Sequence, residues 1–528
     1  MIQSNLAPNG MAVTPHHLAS SSALSILRQG GNAIEAMVAA AATIAVVYPH
    51  MNGLGGDGFW LIVPPEGEPI AIDASGAAGS LATVERYQTQ ATIPFRGPQA
   101  ALTVAGTVSG WQLALDYATQ NITESLPLPM LLADAIHYAE SGIPVTVSQA
   151  EATKTKTGEL AHLPGFSDIY LPDNRPPSAG ECLRQPDLAR SLKALASDGL
   201  ESFYRGALGK KIAAGMAQIG MPITEQDLTD HRAHYKTPLS VQHSCGTIYN
   251  LAPPTQGLVS LAILGILDRF DLAQCNEIQT IHRIVEATKL AFTLRDTYIT
   301  DPKEIAIDLQ QLLNTSLLDA LSQQLDTDLA APWGEPLLPG DTVWMGVTDK
   351  NGYSVSFIQS IYHEFGSGVV IPDTGILWQN RGAAFSLQAG HPRCLGPKKY
   401  PFHTLNPAAA KLNDGRTLVY GSMGGDGQPQ TQATLFTRYV QQQLPLQAAI
   451  SAPRWLLGRT WGNASDSLKL EARFSEETYQ GLRSLGHRTE RLDAWSEATG
   501  HAGAIVRHPN GLVEGASDPR SNGSAAGY

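Results

Sequence analysis

Positive charge is scarce in this 528-residue chain: 36 Lys and Arg stand against 48 Asp and Glu, a formal net charge of −12. No Lys/Arg run relieves that balance, so phosphates would meet no clustered basic face and a nucleic-acid partner is excluded. Cysteine is scarcer still. Cys182, Cys245, Cys275 and Cys394 are widely spaced, with no Cys-x-x-Cys pair and no nearby His at zinc-finger spacing, and they read as reduced, ordinary thiols. Long apolar runs are missing too. The longest, Ala39 to Val47, falls well short of about 18 residues and ends at Tyr48-Pro49, which excludes a membrane span and predicts a buried helix. The opening, Met1-Ile2-Gln3-Ser4-Asn5, has neither the basic start nor the apolar stretch of a secretory signal, and a cytoplasmic protein is the expectation.

What is present is the composition of a soluble globular protein, 43% hydrophobic and 16% charged, long enough for two or three domains or for one large multilayer α/β body. There are 50 glycines, which favours many tight turns. Apolar spacing predicts a helix over His16–Arg28 stopped by Gly30-Gly31, and a second, capped by Asn32, over Ala33–Val47. A four-glycine loop from Asn52 then turns into the strand Leu61-Ile62-Val63. Helical patterns return at Leu131–Ser141, Ala189–Ser197 and Ile278–Asp296. After about residue 340 the texture turns to strands: Val343–Thr348 and Tyr353–Ile361 form a hairpin around Asn351-Gly352. Further strands are expected at Gly375–Gln379, Leu418–Tyr420 and Ala502–His508, and a helix at Gln432–Gln442. No repeat or low-complexity segment interrupts them.

The junction Leu337-Leu338-Pro339-Gly340-Asp341-Thr342 joins a Pro- and Gly-containing loop to a hairpin that starts with threonine. A Thr hydroxyl held against its own preceding carbonyl can undergo an N-to-O acyl shift and hydrolysis. The freed α-amine is then a local base for the same hydroxyl. Taken alone, a Thr at a strand start is as readily a plain β-former.

Motifs in order along almost the whole chain add to that reading. Asn9-Gly10-Met11-Ala12-Val13, Gly30-Gly31-Asn32-Ala33, Gly53-Leu54-Gly55-Gly56-Asp57-Gly58-Phe59, Pro253-Pro254-Thr255-Gln256-Gly257, Arg295-Asp296 to Asp301-Pro302, Phe365-Gly366-Ser367-Gly368 and Gly421-Ser422-Met423-Gly424-Gly425 together resemble the γ-glutamyltransferase family. The resemblance implies the α+β fold of N-terminal-nucleophile hydrolases, a four-layer αββα sandwich. It implies cleavage between Asp341 and Thr342 into fragments 1–341 and 342–528 that share one core as a heterodimer, alone or within a higher oligomer. Thr342 matches the nucleophile, Ser360 the accessory hydroxyl, and Gly424 and Gly425 the oxyanion-hole pair, where a bare backbone N–H must approach the developing charge.

Departures from the family pattern bear on the substrate. Ser75, in Asp73-Ala74-Ser75-Gly76, stands where members that bind glutamate carry an Arg for its α-carboxylate. Ala384 and Tyr362 stand where an acidic residue and an Asn would hold its ammonium. Arg381 replaces a neutral amide and His403-Thr404 a serine pair. A planar guanidinium suits bidentate binding of a carboxylate, so Arg381, Tyr362, His403 and Thr404 form the candidate substrate-binding set, for an acid without an amine. These features resemble the oxamate amidohydrolase branch, which implies hydrolysis of oxamate to oxalate and ammonia in purine-nitrogen catabolism. Two alternatives stay open within the family, a γ-glutamyltransferase or glutathione hydrolase and a glutaryl-cephalosporin-type acylase; a third is a non-catalytic binding protein on the same fold. No metal or organic cofactor is expected, because the sequence shows no ligand-spaced His/Asp/Glu set and no dinucleotide fingerprint.

Overall fold

The computed structural model describes residues 3–122, 125–333, 341–458 and 467–528, with Asp341 described in its backbone only. Two seven-stranded sheets form its centre. The first runs Ser524–Gly527, Met11–Thr14, Asp341–Thr348, Ser354–Tyr362, Asp57–Val63, Ile70–Ala74, His234–Lys236, every neighbour antiparallel. The second runs Asn5–Ala7, Val513–Ser517, Ala502–Arg507, Thr417–Ser422, Ala408–Leu412, Gly246–Asn250, Leu239–His243, also antiparallel throughout. Each sheet thus draws strands from both sides of the Asp341–Thr342 peptide.

Period-two alternation sorts the side chains into layers. Phe59, Leu61 and Val63 join Trp344, Ile358, Val419 and Ile505 in a core between the sheets. Trp60 and Ile62, on the opposite face of the same strand, pack with the helices His17–Arg28, Ala33–Val47 and Thr107–Asn121. The second sheet is covered by Gly257–Leu267, Glu277–Tyr298 and Gly427–Phe436. The result is a four-layer αββα sandwich.

Local chemistry explains several elements. Asn32 caps its helix through a capping box: its side chain accepts from the Ile34 and Glu35 amides, and Glu35 Oε2 accepts from the Asn32 amide at 2.9 Å. Every residue of Ala33–Val47 is buried, as a helix apolar on all sides but for Glu35 and Thr43 requires. The sheets close on one large wedge. Trp344 lies against two glycines of the opposite sheet, where a Cβ would stand 2.2 Å (Gly421) or 2.4 Å (Gly503) from its ring. No helix among the described residues is long and apolar enough to cross a membrane.

Two expected elements differ. The helix predicted at Gln432–Gln442 starts at Gly427 and runs to Phe436, with a wider turn over Thr437–Gln441. Gly427 and Pro429 read as loop punctuation, yet Pro costs little in a first turn, where its missing N–H has no helical partner. At Gly375–Gln379 only Ile376–Leu377 is strand, paired with Val370–Ile371. Gln379 has already left the ladder, its amide donating to the Gly55 carbonyl at 3.0 Å.

Candidate active site

Thr342 lies in a register shift between Asp341 and Val343, an irregularity that re-aims a side chain at a sheet end. Its hydroxyl, 1% exposed, donates to Ser360 Oγ at 3.3 Å. Ser360 Oγ also accepts the Tyr362 amide at 2.8 Å. Ser360 sits on the neighbouring strand and is itself directly opposite Asp57 on the next, so these side chains share the inter-sheet face. Two hydroxyls in contact at a strand start supply a nucleophile and a group to steer its proton. The preceding loop, Leu337 to Gly340, lies outside the described residues.

Gly424 and Gly425 follow the strand Thr417–Ser422, at φ +114° and +53°. The left-handed region favours glycine, and the carbonyls of the two peptides are held. The Met423 carbonyl accepts the Ser422 hydroxyl at 2.9 Å, and that of Gly424 accepts the Gly427 amide at 2.8 Å. Those bonds orient the N–H groups of Gly424 and Gly425 on the far side of the same peptide planes. Beneath them, a Cβ built on Gly424 would stand 3.7 Å from Gly500. Arg454 donates to the Gly500 carbonyl at 2.6 Å and pairs with buried Asp518. Arg520 joins Asp518 at 3.1 Å to Glu471 at 2.5 Å. The helix from Gly427 begins beside the pair and adds the positive end of its dipole.

Arg381 is 1% exposed. Its guanidinium carbon sits 3.9 Å from the centre of the Tyr362 ring, and Tyr362 holds φ +83°, a strained value for a bulky side chain. Nε and Nη1 of Arg381 are buried without a hydrogen-bond partner among the described residues. Burial lowers this guanidinium to about 10, with Tyr362 and Asp57 pulling it back up. A buried cation with spare donors is matched to an anion.

His403 is fully buried, its ring edge-on to Phe59, with Nε2 3.5 Å from Asp57 Oδ2. Burial, reinforced by Arg381 and Lys236, holds its imidazole well below its ordinary range, so it is neutral. The Thr404 carbonyl accepts from Gln256 Nε2 at 2.9 Å, and the same nitrogen donates to the Gly425 carbonyl at 2.9 Å. One amide therefore ties the His403–Thr404 loop to the glycine pair. Ser75 turns inward on Asp73, its hydroxyl donating at 2.6 Å, while Lys236 pairs the other carboxylate oxygen at 2.7 Å. The position of the family's arginine thus holds a short hydroxyl already engaged.

Two residues of this site stood in recognised motifs without a role, Asp57 and Gln256. An acid amid glycines was the available signal for Asp57, and neither partner set is visible without the fold. Elsewhere, the fold assembles a ligand-spaced set that the sequence reading missed: His282, Glu286 and His487, with potential ligand atoms within 4.8 Å. Its atoms are engaged. His282 Nδ1 lies 2.8 Å from His487 Nε2, Nε2 2.9 Å from the Asp326 carbonyl, and Glu286 takes Lys289 Nζ at 2.7 Å and the Ala331 amide at 3.0 Å. An adjacent ammonium opposes a bound cation, and the group pins the segment around Asp326 and Ala331.

Residues 19–528 match the family model described as gamma-glutamyltranspeptidase. The chain is 67% identical, over 528 residues and the full length of both, to the oxamate amidohydrolase proenzyme of Klebsiella pneumoniae subsp. pneumoniae. It is 38% identical over 531 residues, again the full length of both, to a glutathione hydrolase-like proenzyme of Bacillus subtilis. Among solved structures, a cephalosporin acylase from Bacillus halodurans matches with TM-score 0.90 and 33% identity, over 100% of this chain and 97% of that one.

Proposed function

The chain belongs to the gamma-glutamyltranspeptidase family, and from that premise we propose that it is a self-processing amidohydrolase acting on a small amide that bears a carboxylate, oxamate before others. The observation that carries the substrate is Arg381, buried with two N–H groups unpartnered among the described residues and stacked on Tyr362, whose amide donates to Ser360, the partner of Thr342. Full-length identity of 67% to a protein named for oxamate supports the same reading.

In this reading the Asp341–Thr342 peptide is cut by the Thr342 hydroxyl, and the α-amine so released becomes the base for that hydroxyl. The substrate carboxylate seats on Arg381. Thr342 Oγ1, steered by Ser360, attacks the amide carbonyl, and the N–H groups of Gly424 and Gly425 receive the oxyanion. The α-ammonium passes its proton to the departing nitrogen, ammonia leaves, and water hydrolyses the Thr ester. The two fragments remain together as a heterodimer.

Intact mass and N-terminal sequencing of the wild type and of Thr342→Ala test the nucleophile. Two fragments, one starting at Thr342, are expected from the wild type and a single chain from the variant. Ammonia release from oxamate, with none from glutamine, is the expected substrate result. Rapid glutathione turnover, or acyl transfer to glycylglycine, overturns it.

A further inference from the structure

We propose that Asp57 is a specificity-determining residue of the carboxylate pocket, taking up one proton from solvent whenever a substrate carboxylate seats on Arg381. This rests on the amidohydrolase reading above and adds to it a charge rule for the site.

Position comes first. Asp57 opens the strand Asp57–Val63 directly across from Ser360 and is fully buried. Its two oxygens differ. Oδ1 accepts the amides of Gly76 at 3.0 Å and Gly106 at 3.1 Å. Oδ2 faces His403 Nε2 at 3.5 Å, and the Gln379 side chain also turns to this carboxylate. Both His403 nitrogens, and Nε and Nη1 of Arg381, are without hydrogen-bond partners among the described residues. These two buried groups with free atoms, beside Asp57, form a cradle that an incoming polar molecule completes.

Charge decides what that molecule does to Asp57. Empty, the cluster closes at zero, with Arg381 positive, Asp57 negative and His403 neutral. Among the described side chains around it none is a spare cation: Lys236 is paired with Asp73, Arg295 with Asp426, and Arg393 faces Asp296. The α-amine that cleavage frees on Thr342 is a further titratable group, and Asp57→Asn separates its protonation from that of Asp57. The nearby Tyr204 and Tyr400 hydroxyls are pushed upward by burial and stay neutral. A substrate carboxylate therefore sets two buried anions against one guanidinium, an arrangement that drives one carboxyl to bind a proton. Asp57 is already poised for it, since burial pushes it up to about 7, against Arg381 first and then Gln379 and the Gly76 and Gly106 amides, which hold it down. Sharing Arg381 with the substrate removes part of that restraint. The proton comes from bulk water and lands on Oδ2, turning it from an acceptor into a donor toward His403 Nε2 or the substrate carboxylate. No other bond changes.

The sign follows from linkage. An acid protonated in the complex and ionised in the free site weakens binding as pH rises above about 7, by roughly tenfold per pH unit for one proton. The probe is pyruvate, which keeps the α-carbonyl and carboxylate and replaces the amide nitrogen with methyl. Calorimetry on the self-cleaved wild type at pH 8, in buffers of different ionisation enthalpy, is expected to show about one proton taken up per pyruvate bound. Asp57→Asn, which keeps the shape but cannot titrate, is expected to show none, and to lose the wild type's weakening of pyruvate binding between pH 7 and 9. Wild-type binding without proton uptake overturns the proposal even if the variant fails to fold. Uptake that persists in a folded Asp57→Asn overturns it too. If pyruvate does not bind and oxamate yields no ammonia, the carboxylate pocket itself is wrong and the proposal falls with it, a distinct result.

Discussion

Replacing Arg381 by Lys keeps the positive charge and removes the planar fork. In the structure the guanidinium is stacked 3.9 Å from the Tyr362 ring centre and has Nε and Nη1 free. Lys reaches as one compact point charge, so one of two parallel charge-assisted hydrogen bonds to the substrate carboxylate is lost. Such a bond contributes about 1.5–3 kcal/mol, and about 1.4 kcal/mol is tenfold, so KM for oxamate is expected to rise roughly 10- to 150-fold. Because the carboxylate is bound alike in ground and transition states, kcat is expected to change little. Self-cleavage, in which the Thr342 hydroxyl meets its own preceding carbonyl rather than a bound substrate, is expected to proceed. Steady-state ammonia release and a denaturing gel read all three. An unchanged KM with a large fall in kcat would refute the reasoning, making Arg381 a structural support for Tyr362 rather than a carboxylate ligand.

Gly424→Ala places a Cβ at φ +114° in ordinary van der Waals contact with Gly500, 3.7 Å away, so the cost is conformational rather than a clash. Relieving it re-aims an oxyanion N–H, and kcat is expected to fall about 10²–10³-fold, read in the same assay on protein shown to be folded by circular dichroism. Asp518→Ala removes the carboxylate paired with buried Arg454 and leaves Arg520 with Glu471 alone, and a loss of about 3–5 kcal/mol is expected in denaturant unfolding.

Legibility in the sequence followed distance along the chain. The Asn32 capping box and the Asn351-Gly352 turn depend on neighbours within a few residues and were readable; Gly352 indeed holds φ +93°. Thr342 was singled out as the candidate nucleophile only because matched motifs flank it in order. Asp57 and His403 meet from opposite sides of the cut, 346 residues apart, and a free His or Asp in a sequence carries no sign of the partner it will face. Arg381 illustrates a different limit. Its residue type suggests a surface position, and only the packing around Tyr362 places it inside. The helix from Gly427 was misplaced for a third reason, since glycine and proline punctuate loops and first turns alike.

The interleaving of strands has a consequence for the life history of the molecule. Five ladders join residues from opposite sides of the Asp341–Thr342 peptide: Met11–Thr14 with Ser524–Gly527 and with Asp341–Thr348, Asp57–Val63 with Ser354–Tyr362, Asn5–Ala7 with Val513–Ser517, and Gly246–Asn250 with Ala408–Leu412. A cut at that peptide opens none of them. It does change the reaction order of folding: a chain that closed its sheets as a unimolecular event would, once severed and denatured, have to find its other half in solution. If the chain is cut there as proposed, maturation would be a one-way door, and the cleaved protein would persist by the height of its unfolding barrier rather than by its capacity to fold again.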